Sequence, residues 1–172
     1  GGGGGVVESR YARSARQISQ GEFKSVDDVI EYFTPHVPND LPFRDAFATA
    51  RVRKGWLARY YLSVLERANV GDAEPELIPN ENVDEVNLEH VLPKNPDDAW
   101  LVPFSRDEAE AMVLMLGNQA LLKKSQNVHI GNQPFESKRP VLAASSLTLT
   151  REIGDCEVWS PAEIQERQMR LA

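Results

Sequence analysis

The sequence predicts an α+β fold in which two short strands lie between helical segments. Serine caps followed by apolar residues at helical spacing indicate the helices, the first at Ser25 and the last at Ser160. The short stretches VNLEHV at 86–91 and ALLKK at 120–124 indicate the two strands. Taken in chain order, these elements predict an N-terminal helical part followed by a mixed region that ends in helices.

Composition bounds the class of protein. The chain has 172 residues, of which 41% are hydrophobic and 26% charged, which is typical of a soluble globular protein. Its apolar runs are too short for a transmembrane helix, and the chain shows no secretion leader, so we expect a cytoplasmic protein. The single cysteine, Cys156, excludes an internal disulfide and a multi-cysteine zinc site.

The net charge of −7 argues weakly against nucleic-acid binding, because proteins that bind nucleic acid usually carry a basic face. The cations are nevertheless clustered at 46–65, which contains no acid, and at 123–139, which contains one. The two clusters are Arg51, Arg53, Lys54 and Arg59, and Lys123, Lys124, Lys138 and Arg139. Each cluster could be a basic patch for nucleic acid or an ordinary solvated face.

The N-terminal part divides into two predicted regions. Residues 1–22, which open on five glycines, are predicted to be a tag remnant or linker, and residues 23–82 a helical lead-in. Within the lead-in, one helix should follow Ser25 and end at Pro35 and Pro38. A second helical stretch covers about 43–68, which Gly55 could divide, and a polar connector follows at 71–82.

An apolar stripe in the second helical stretch is predicted to be core rather than a platform for stacking bases. Its members recur at helical spacing and are Leu57, Tyr60, Tyr61, Val64, Leu65 and Ala68. Trp100 and Trp159 are also predicted to be core residues.

Residues 83–172 are predicted to form a separate domain. Between its strands we expect a loop containing Pro93 and Pro96, and then a helix at about 107–116. A helix at about 134–145 should be kinked or split by Pro140, and a capped helix should begin at Pro161.

Chemistry-bearing residues recur in order along this second domain. The stretch 87–96, NLEHVLPKNP, places a carboxylate beside an imidazole, and LGNQALL at 116–122 and SQN at 125–127 follow. An acid–histidine pair followed by two asparagines in this order resembles the ββα-metal (His-Me finger, HNH-type) nuclease site. The wider pattern EHVLP, LGNxxLL, NxxxGNxPFxxK and WSxxxIxxR resembles the C-terminal nuclease domain of GmrSD-type modification-dependent restriction enzymes. The resemblance spans about 86–172, and the helical stretch at 43–68 is similar to the segment that precedes that domain.

The resemblance implies a fold and a reaction. The N-terminal helical part would pack on a ββα-metal core with additional C-terminal helices, and the domain would hydrolyse DNA in a bacterial defence system. His90 would be the general base, because an imidazole with a pKa of about 6.5 suits proton removal from water. Glu89 and Asn127 would supply oxygen ligands to one Mg²⁺ or Mn²⁺ ion. Asn118 would hold the loop between the strands by backbone hydrogen bonds.

A geometric condition is attached to this metal site. Adjacent residues on a regular strand point to opposite faces, so Glu89 and His90 could face one metal only at an irregular strand end. Pro93, three residues further on, is compatible with such an end. Glutamate is also one methylene longer than the aspartate often found here in HNH-type nucleases. Alternative roles stay open, since His90 could be a surface histidine and Asn127 only a helix cap.

Five cations are candidate contacts to nucleic acid, namely Lys123, Lys124, Lys138, Arg139 and Arg167. Lys138 and Arg167 match positions of the family pattern, and they could contact phosphates or brace the domain through pairs with carboxylates. His129 lies two residues beyond the matched asparagine and is expected to face solvent.

The resemblance also implies partners and leaves rival functions. Full-length relatives usually carry an N-terminal ParB-like nucleotide-hydrolysing domain, so this chain is predicted to be the C-terminal fragment of a longer protein that acts on DNA. One site should cut one strand and therefore nick. The rivals are an RNA-cleaving nuclease and a non-catalytic interaction module, the latter consistent with the net charge of −7. The complete set Glu89, His90, Asn118 and Asn127 favours a catalytic domain over a degenerate one.

Overall fold

The computed structural model describes residues 4–37, 39–69, 71 and 86–172. The chain divides into two compact units, one reaching to Phe43 and the other comprising Arg44–Ala172. Pro38 and all of the predicted connector at 71–82 except Gly71 lie outside the described residues. No helix within the described ranges is long and apolar enough to cross a membrane.

The first unit is helical. It contains α1 at Gly4–Ser19, α2 at Val26–Phe33 and a short 3₁₀ helix at Thr34–His36. The cap predicted for α2 is confirmed, because Ser25 Oγ accepts the Asp28 N–H while the Asp28 carboxylate accepts the Ser25 N–H at 2.9 Å. α2 ends just before Pro35, which lies in the first turn of the 3₁₀ helix. The helix α1 was not predicted.

The second unit combines helices with a small antiparallel sheet. Its elements are α3 (Asp40–Ala48, which starts in the first unit), α4 (Gly55–Asn69), β1 (Val86–His90), α5 (Arg106–Met112), a 3₁₀ helix (Leu116–Asn118), β2 (Gln119–Lys123), α6 (Lys124–Ile130), α7 (Phe135–Ala143), α8 (Thr148–Asp155) and α9 (Pro161–Arg170). In the described part of the chain, β1 and β2 form a two-stranded sheet, with Val86 opposite Lys123 and His90 opposite Gln119. The predicted α+β class is thus confirmed.

The elements with local signals lie close to where the sequence predicts them. Ser105 and Ser160 cap α5 and α9, and each helix shows the reciprocal capping box. The stretch at 43–68 is two helices, and Gly55 is the first residue of the second. Pro140 does not split α7, because the carbonyl it leaves without a partner belongs to the first turn of a nine-residue helix. The helix α8 was not predicted.

Two apolar clusters lie on the two faces of the sheet. Side chains alternate along a strand, so β2 contributes Ala120 and Leu122 to one cluster and Leu121 to the other. The first cluster includes Trp100 and Trp159, each 2% exposed, which confirms their predicted burial. The second cluster includes buried residues of α4. Apolar packing therefore holds the strands from both faces, independently of the candidate site residues.

The predicted core stripe of α4 is wrong for most of its members. Tyr60, Tyr61 and Val64 are 50%, 39% and 43% exposed, and Ala68 is exposed as well. The residues of α4 that pack against the sheet are instead Ala58 and Leu62, with 0% and 2% exposure. Both sides of α4 are apolar, so periodicity could not identify the buried side, and the small side chain at 58 permits the closer approach.

The C-terminal helix α9 fastens the turn that leads into β2. Gln168 is fully buried, accepts the Gly117 N–H at 2.6 Å and donates to the carbonyl of Phe47 at 2.7 Å. A Cβ at Gly117 would lie 2.3 Å from the Ile164 carbonyl oxygen, so only glycine permits this approach.

At a second close approach, between α7 and α8, a single added methyl group should destabilise the fold. In Gly154→Ala the new Cβ would lie 2.2 Å from the backbone nitrogen of Ala143, and backbone cannot move aside as a side chain can. Overpacking of this kind costs about 1–3 kcal/mol, and we expect at least about 2 kcal/mol in urea unfolding.

The matched control is Gly55→Ala, whose Cβ would meet Leu88 Cδ2 at an ordinary 3.8 Å. This variant should unfold at the wild-type urea concentration or slightly above it. A wild-type midpoint for Gly154→Ala would contradict the close packing of α7 on α8.

Candidate active site

The end of β1 is organised around a buried lysine. Lys138 projects from α7, is 0% exposed, and places its Nζ 2.6 Å from Glu89 Oε1. The same Nζ donates to the carbonyl oxygens of His90 at 3.2 Å and Val91 at 3.0 Å. It also lies 5.7 Å from the centre of the Trp100 ring. All three ammonium hydrogens therefore have acceptors, supplied by three successive residues.

Burial acts on both members of this ion pair. Loss of water raises the pKa of Glu89 and lowers the pKa of Lys138, because each charged form is disfavoured away from solvent. The attraction between the two groups opposes both shifts. Glu89 is 5% exposed, so its carboxylate faces the ammonium rather than solvent.

His90 lies on the other face of β1. Its Cα is paired with that of Gln119, and its Nε2 is 3.3 Å from the amide nitrogen of Gln119, a fully buried side chain. Burial, and then the positive charges of Lys94 and Lys138, lower the pKa of His90 to about 4. The half-buried imidazole is therefore neutral at pH 7 and keeps a basic lone pair.

The strand does not bring Glu89 and His90 to one metal. Both residues still belong to the ladder, where they pair with Ala120 and Gln119, and the irregular backbone begins only at Val91. Regular alternation then places the two side chains on opposite faces. Among the residues that the structure describes, no three histidine, cysteine, aspartate or glutamate side chains are grouped to hold a metal ion. Glu89, paired with an ammonium, does not fit a metal ligand here.

Asn127 ties the helix after β2 to β1. It lies in α6 and donates from Nδ2 to the carbonyl oxygen of Leu88 at 3.1 Å. That bond does not use Oδ1, the atom of this side chain that could bind a hard cation. Of the two predicted metal ligands, Asn127 therefore keeps its ligand atom available.

Asn118 fastens the connection between the strands. Its buried Oδ1 accepts the Leu92 N–H at 2.8 Å and the Trp159 Nε1–H at 3.1 Å. Its Nδ2 donates to the carbonyls of Leu92 at 2.9 Å and Val113 at 3.2 Å. Every hydrogen-bonding position of the amide is thus used, and both ends of the connection are held. At 0% exposure, the side chain acts on the loop and not on a bound molecule.

Arg167 lies behind β2 and donates to backbone carbonyls in the interior. Its Nη1 donates to the carbonyls of Leu116, Gly117 and Gln119, each at 2.9 Å, and Nη2 donates to the carbonyl of Leu149 at 3.2 Å. Burial lowers its pKa to about 10, so the group stays charged at pH 7. Its acceptors are backbone oxygens rather than the carboxylates considered from sequence.

The five predicted nucleic-acid contacts thus fall into different settings. Lys138 and Arg167 are both enclosed by protein; Lys138 is paired with a carboxylate, as in the bracing alternative, whereas Arg167 donates to backbone oxygens. Arg139 is half-buried and donates to the carbonyl of Gly154 at 3.1 Å. Lys123 and Lys124 are exposed at the end of β2 away from Gln119. His129 is exposed on α6, as the sequence predicts.

Two residues near His90 were missed. Gln119 contacts the imidazole only because the strands pair in one register, which sequence alone does not reveal. Lys94 is exposed, and its positive charge lowers the pKa of His90. It also lines a groove together with Arg106 and Glu110. Its position four residues after His90 was a usable signal for a cation that acts on the imidazole.

The fold and the site define a small α+β domain that holds a neutral histidine at the end of a strand. The family model described as GmrSD restriction endonucleases, C-terminal domain, matches residues 37–172, more than three quarters of the chain. The chain belongs to this family, and the resemblance drawn from its motifs is confirmed. No curated protein and no solved structure matches the chain. Membership assigns the chain to the nuclease domains of restriction endonucleases.

The four hydrogen bonds of Asn118 predict a large cost for its removal. In Asn118→Leu the Leu92 and Trp159 N–H groups lose their acceptor while buried, and each unsatisfied group costs about 1–3 kcal/mol. We expect a loss of at least about 3 kcal/mol in thermal unfolding followed by circular dichroism. The control is Asn132→Leu at an exposed position after α6, which should stay near wild type. Equal unfolding of the two variants would show that Asn118 does not hold the loop.

The lowered pKa of His90 predicts how stability depends on pH in metal-free buffer. The folded protein keeps the ring neutral to about pH 4, whereas the unfolded chain protonates it near pH 6.5. The unfolded state therefore binds more protons between these values, and stability falls as the pH is lowered through this window. The loss from this one group is up to about 3 kcal/mol.

Urea unfolding between pH 4 and pH 7 measures this loss. His90→Gln should flatten the dependence relative to wild type. An identical slope in wild type and His90→Gln would mean that His90 is not held neutral by the fold.

Proposed function

We propose that this domain is an endonuclease that hydrolyses phosphodiester bonds of DNA in a bacterial restriction system, with His90 as general base. The observation that carries the proposal is a neutral imidazole at a strand end in a chain of the GmrSD C-terminal family. The succession β1, β2, α6 supports a ββα-metal arrangement, because a helix follows the second strand directly and bonds back to the first through Asn127.

The reaction needs a proton acceptor beside the scissile phosphate. A water oxygen attacks phosphorus, the bond from phosphorus to the leaving oxygen breaks, and the base takes the proton of the water. The contact with Gln119 occupies His90 Nε2, so Nδ1 is the nitrogen that would meet water. This requires the proton on Nε2 and the Gln119 amide turned with its oxygen to the ring, which gives up the 3.4 Å hydrogen bond from Gln119 Nε2 to the Val52 carbonyl. Within the described residues, that oxygen is buried without a hydrogen-bond partner, and the ring N–H would supply one.

Substrate binding would strengthen the base. An imidazole with a pKa of about 4 is a weak proton acceptor, although it is fully deprotonated at pH 7. A phosphodiester anion placed beside the ring opposes the charges of Lys94 and Lys138 and raises the pKa again. His90 would then bind the proton most strongly when a substrate is present.

DNA is the substrate class that the family membership favours. Lys94 carries a charge that lowers the pKa of His90, and the groove that it lines with Arg106 and Glu110 would receive part of a phosphate backbone. Lys123 and Lys124 are exposed cations at the far end of β2. Contacts of this kind hold any DNA sequence, so they would position the duplex without selecting a site.

Dependence on Mg²⁺ or Mn²⁺ stays a prediction. A divalent cation supplies charge neutralisation at the phosphate when it is bound in such enzymes. Asn127 Oδ1 is a suitable ligand atom, whereas Glu89 is committed to Lys138. The N-terminal ParB-like nucleotide-hydrolysing domain is likewise a prediction about the longer protein, and one His90 per chain predicts nicking of one strand.

Supercoiled plasmid tests the proposal. With Mg²⁺ or Mn²⁺ present, wild type should convert it to the open circle, and chelator should stop the reaction. His90→Ala should lower the rate by about 10²–10⁴-fold, the usual contribution of a general base. Asn127→Ala should also lose activity, whereas the exposed-site variants His129→Ala and Asn132→Ala should nick at the wild-type rate.

A matched RNA in the same assay separates the rival functions. Cleavage of the RNA but not the DNA would replace DNA with RNA as the substrate. Full activity in folded His90→Ala would remove His90 from the mechanism. Folded wild type that cuts neither polymer would favour a non-catalytic interaction module.

A further inference from the structure

We propose that Glu89 and Lys138 form a positioning latch for the backbone of His90, and that Glu89 acts through Lys138 rather than as a metal ligand. The inference rests on the proposed role of His90 as the base. The latch consists of the Glu89–Lys138 ion pair and the two hydrogen bonds from Lys138 to the carbonyls of His90 and Val91.

The latch holds the chain where the strand ladder stops. β1 ends at His90, and the next two residues form a bend. Lys138 binds the carbonyls of His90 and Val91, while Asn118 accepts the N–H groups of Val91 through its own carbonyl at 3.0 Å and of Leu92 through Oδ1. Both the N–H groups and the carbonyl groups of the backbone at this point are thus hydrogen-bonded. The imidazole of His90 takes no part in these bonds.

Charge explains why Glu89 stays with Lys138. The ammonium has 0% exposure and the carboxylate side chain 7%, so neither can exchange its partner for water. A buried charge that loses its partner is strongly destabilising, because nothing replaces the lost hydration. A metal ion on Glu89 would either displace the ammonium or crowd a second positive charge against it. The Trp100 ring over Nζ further closes this side of the strand to solvent.

The geometry therefore reassigns the carboxylate that precedes the histidine. On the opposite face from His90, it cannot share a ligand sphere with a metal bound beside the imidazole. Glu89 affects the reaction by fixing the backbone that carries His90. Removal of its charge should therefore lower the stability of the fold first. A metal ligand would instead lose metal affinity first, so the order in which stability and metal affinity are lost distinguishes a latch from a metal ligand.

A double-mutant cycle tests the latch, with Glu89→Gln, Lys138→Met and the double variant compared in metal-free urea unfolding. If the groups act as one unit, the unfolding constant of the double variant should lie within about threefold of that of the worse single variant. Independent effects would multiply instead and would overturn the proposal. Glu136→Gln, an exposed glutamate on the same helix, is the control and should leave the midpoint unchanged.

Mn²⁺ binding, followed by the electron paramagnetic resonance of the free ion, tests the second half of the proposal. Glu89→Gln should bind Mn²⁺ within about twofold of wild type, or neither protein should bind it. Glu89→Gln with a wild-type urea midpoint and Mn²⁺ affinity lowered tenfold or more would make Glu89 a metal ligand and overturn the latch. This comparison decides the matter even where Lys138→Met fails to fold.

Plasmid nicking by the same proteins separates this inference from the proposed function. Glu89→Gln and Lys138→Met should each slow nicking by about 3–30-fold, with an unchanged KM for plasmid, because both displace the base without touching DNA. A wild-type nicking rate in both variants, or a raised KM in Glu89→Gln alone, would overturn the latch. If wild type cuts nothing, the proposed function fails, and the unfolding cycle still decides whether the latch exists.

Discussion

A buried ammonium group must be surrounded by acceptors, because an unpaired charge in a protein interior costs more than a domain of this size can sustain. Lys138 meets this condition at one place, the end of β1, where a carboxylate and two backbone carbonyls converge on its Nζ. The interaction joins α7 to the strand that carries His90. It also removes Glu89 from solvent, and the positive charge of Lys138 adds to the effects of burial and of Lys94, which lower the pKa of His90. The position of the candidate base thus depends on a buried group on the opposite face of the strand.

The two faces of the sheet separate the residues of the candidate site. One face carries Glu89 and Ala120 toward the cluster that contains Trp100, and the other carries His90 and Gln119 toward α4. Helix α9 holds the entry to β2 from behind, through the guanidinium of Arg167. A two-stranded sheet is only marginally stable alone. Packing on both faces and bracing by buried polar side chains therefore account for its fixed register.

How much the sequence could predict depends on the range of the interaction that decides each feature. Capped helix starts at Ser25 and Ser160 are local, and they were predictable from residues three apart. The strands were visible because valine and leucine recur in two short stretches, 86–91 and 120–124, that each follow a polar residue. The exposed face of α4 was not predictable, since Tyr60 and Leu62 are equally apolar in the sequence and only packing against the sheet separates them.

The candidate site follows the same rule. The histidine and the two asparagines were found from their order, and the family match supports the pattern that they belong to. Glu89 and His90 point to opposite faces because side chains alternate along a regular strand. The sequence alone could not show whether the strand is regular at this point. The pairing of Glu89 with Lys138 joins residues 49 positions apart and could not be inferred from either one. The Gln119 contact depends in the same way on strand register.

The most direct measurement is a crystal structure of the domain with a cleavage-resistant phosphorothioate duplex and Mn²⁺, located by anomalous scattering. The account predicts the His90 ring beside the scissile phosphate, with Lys138 still bonded to Glu89 and no manganese peak at that carboxylate. A manganese ion bound by Glu89, with the ammonium of Lys138 displaced, would contradict it.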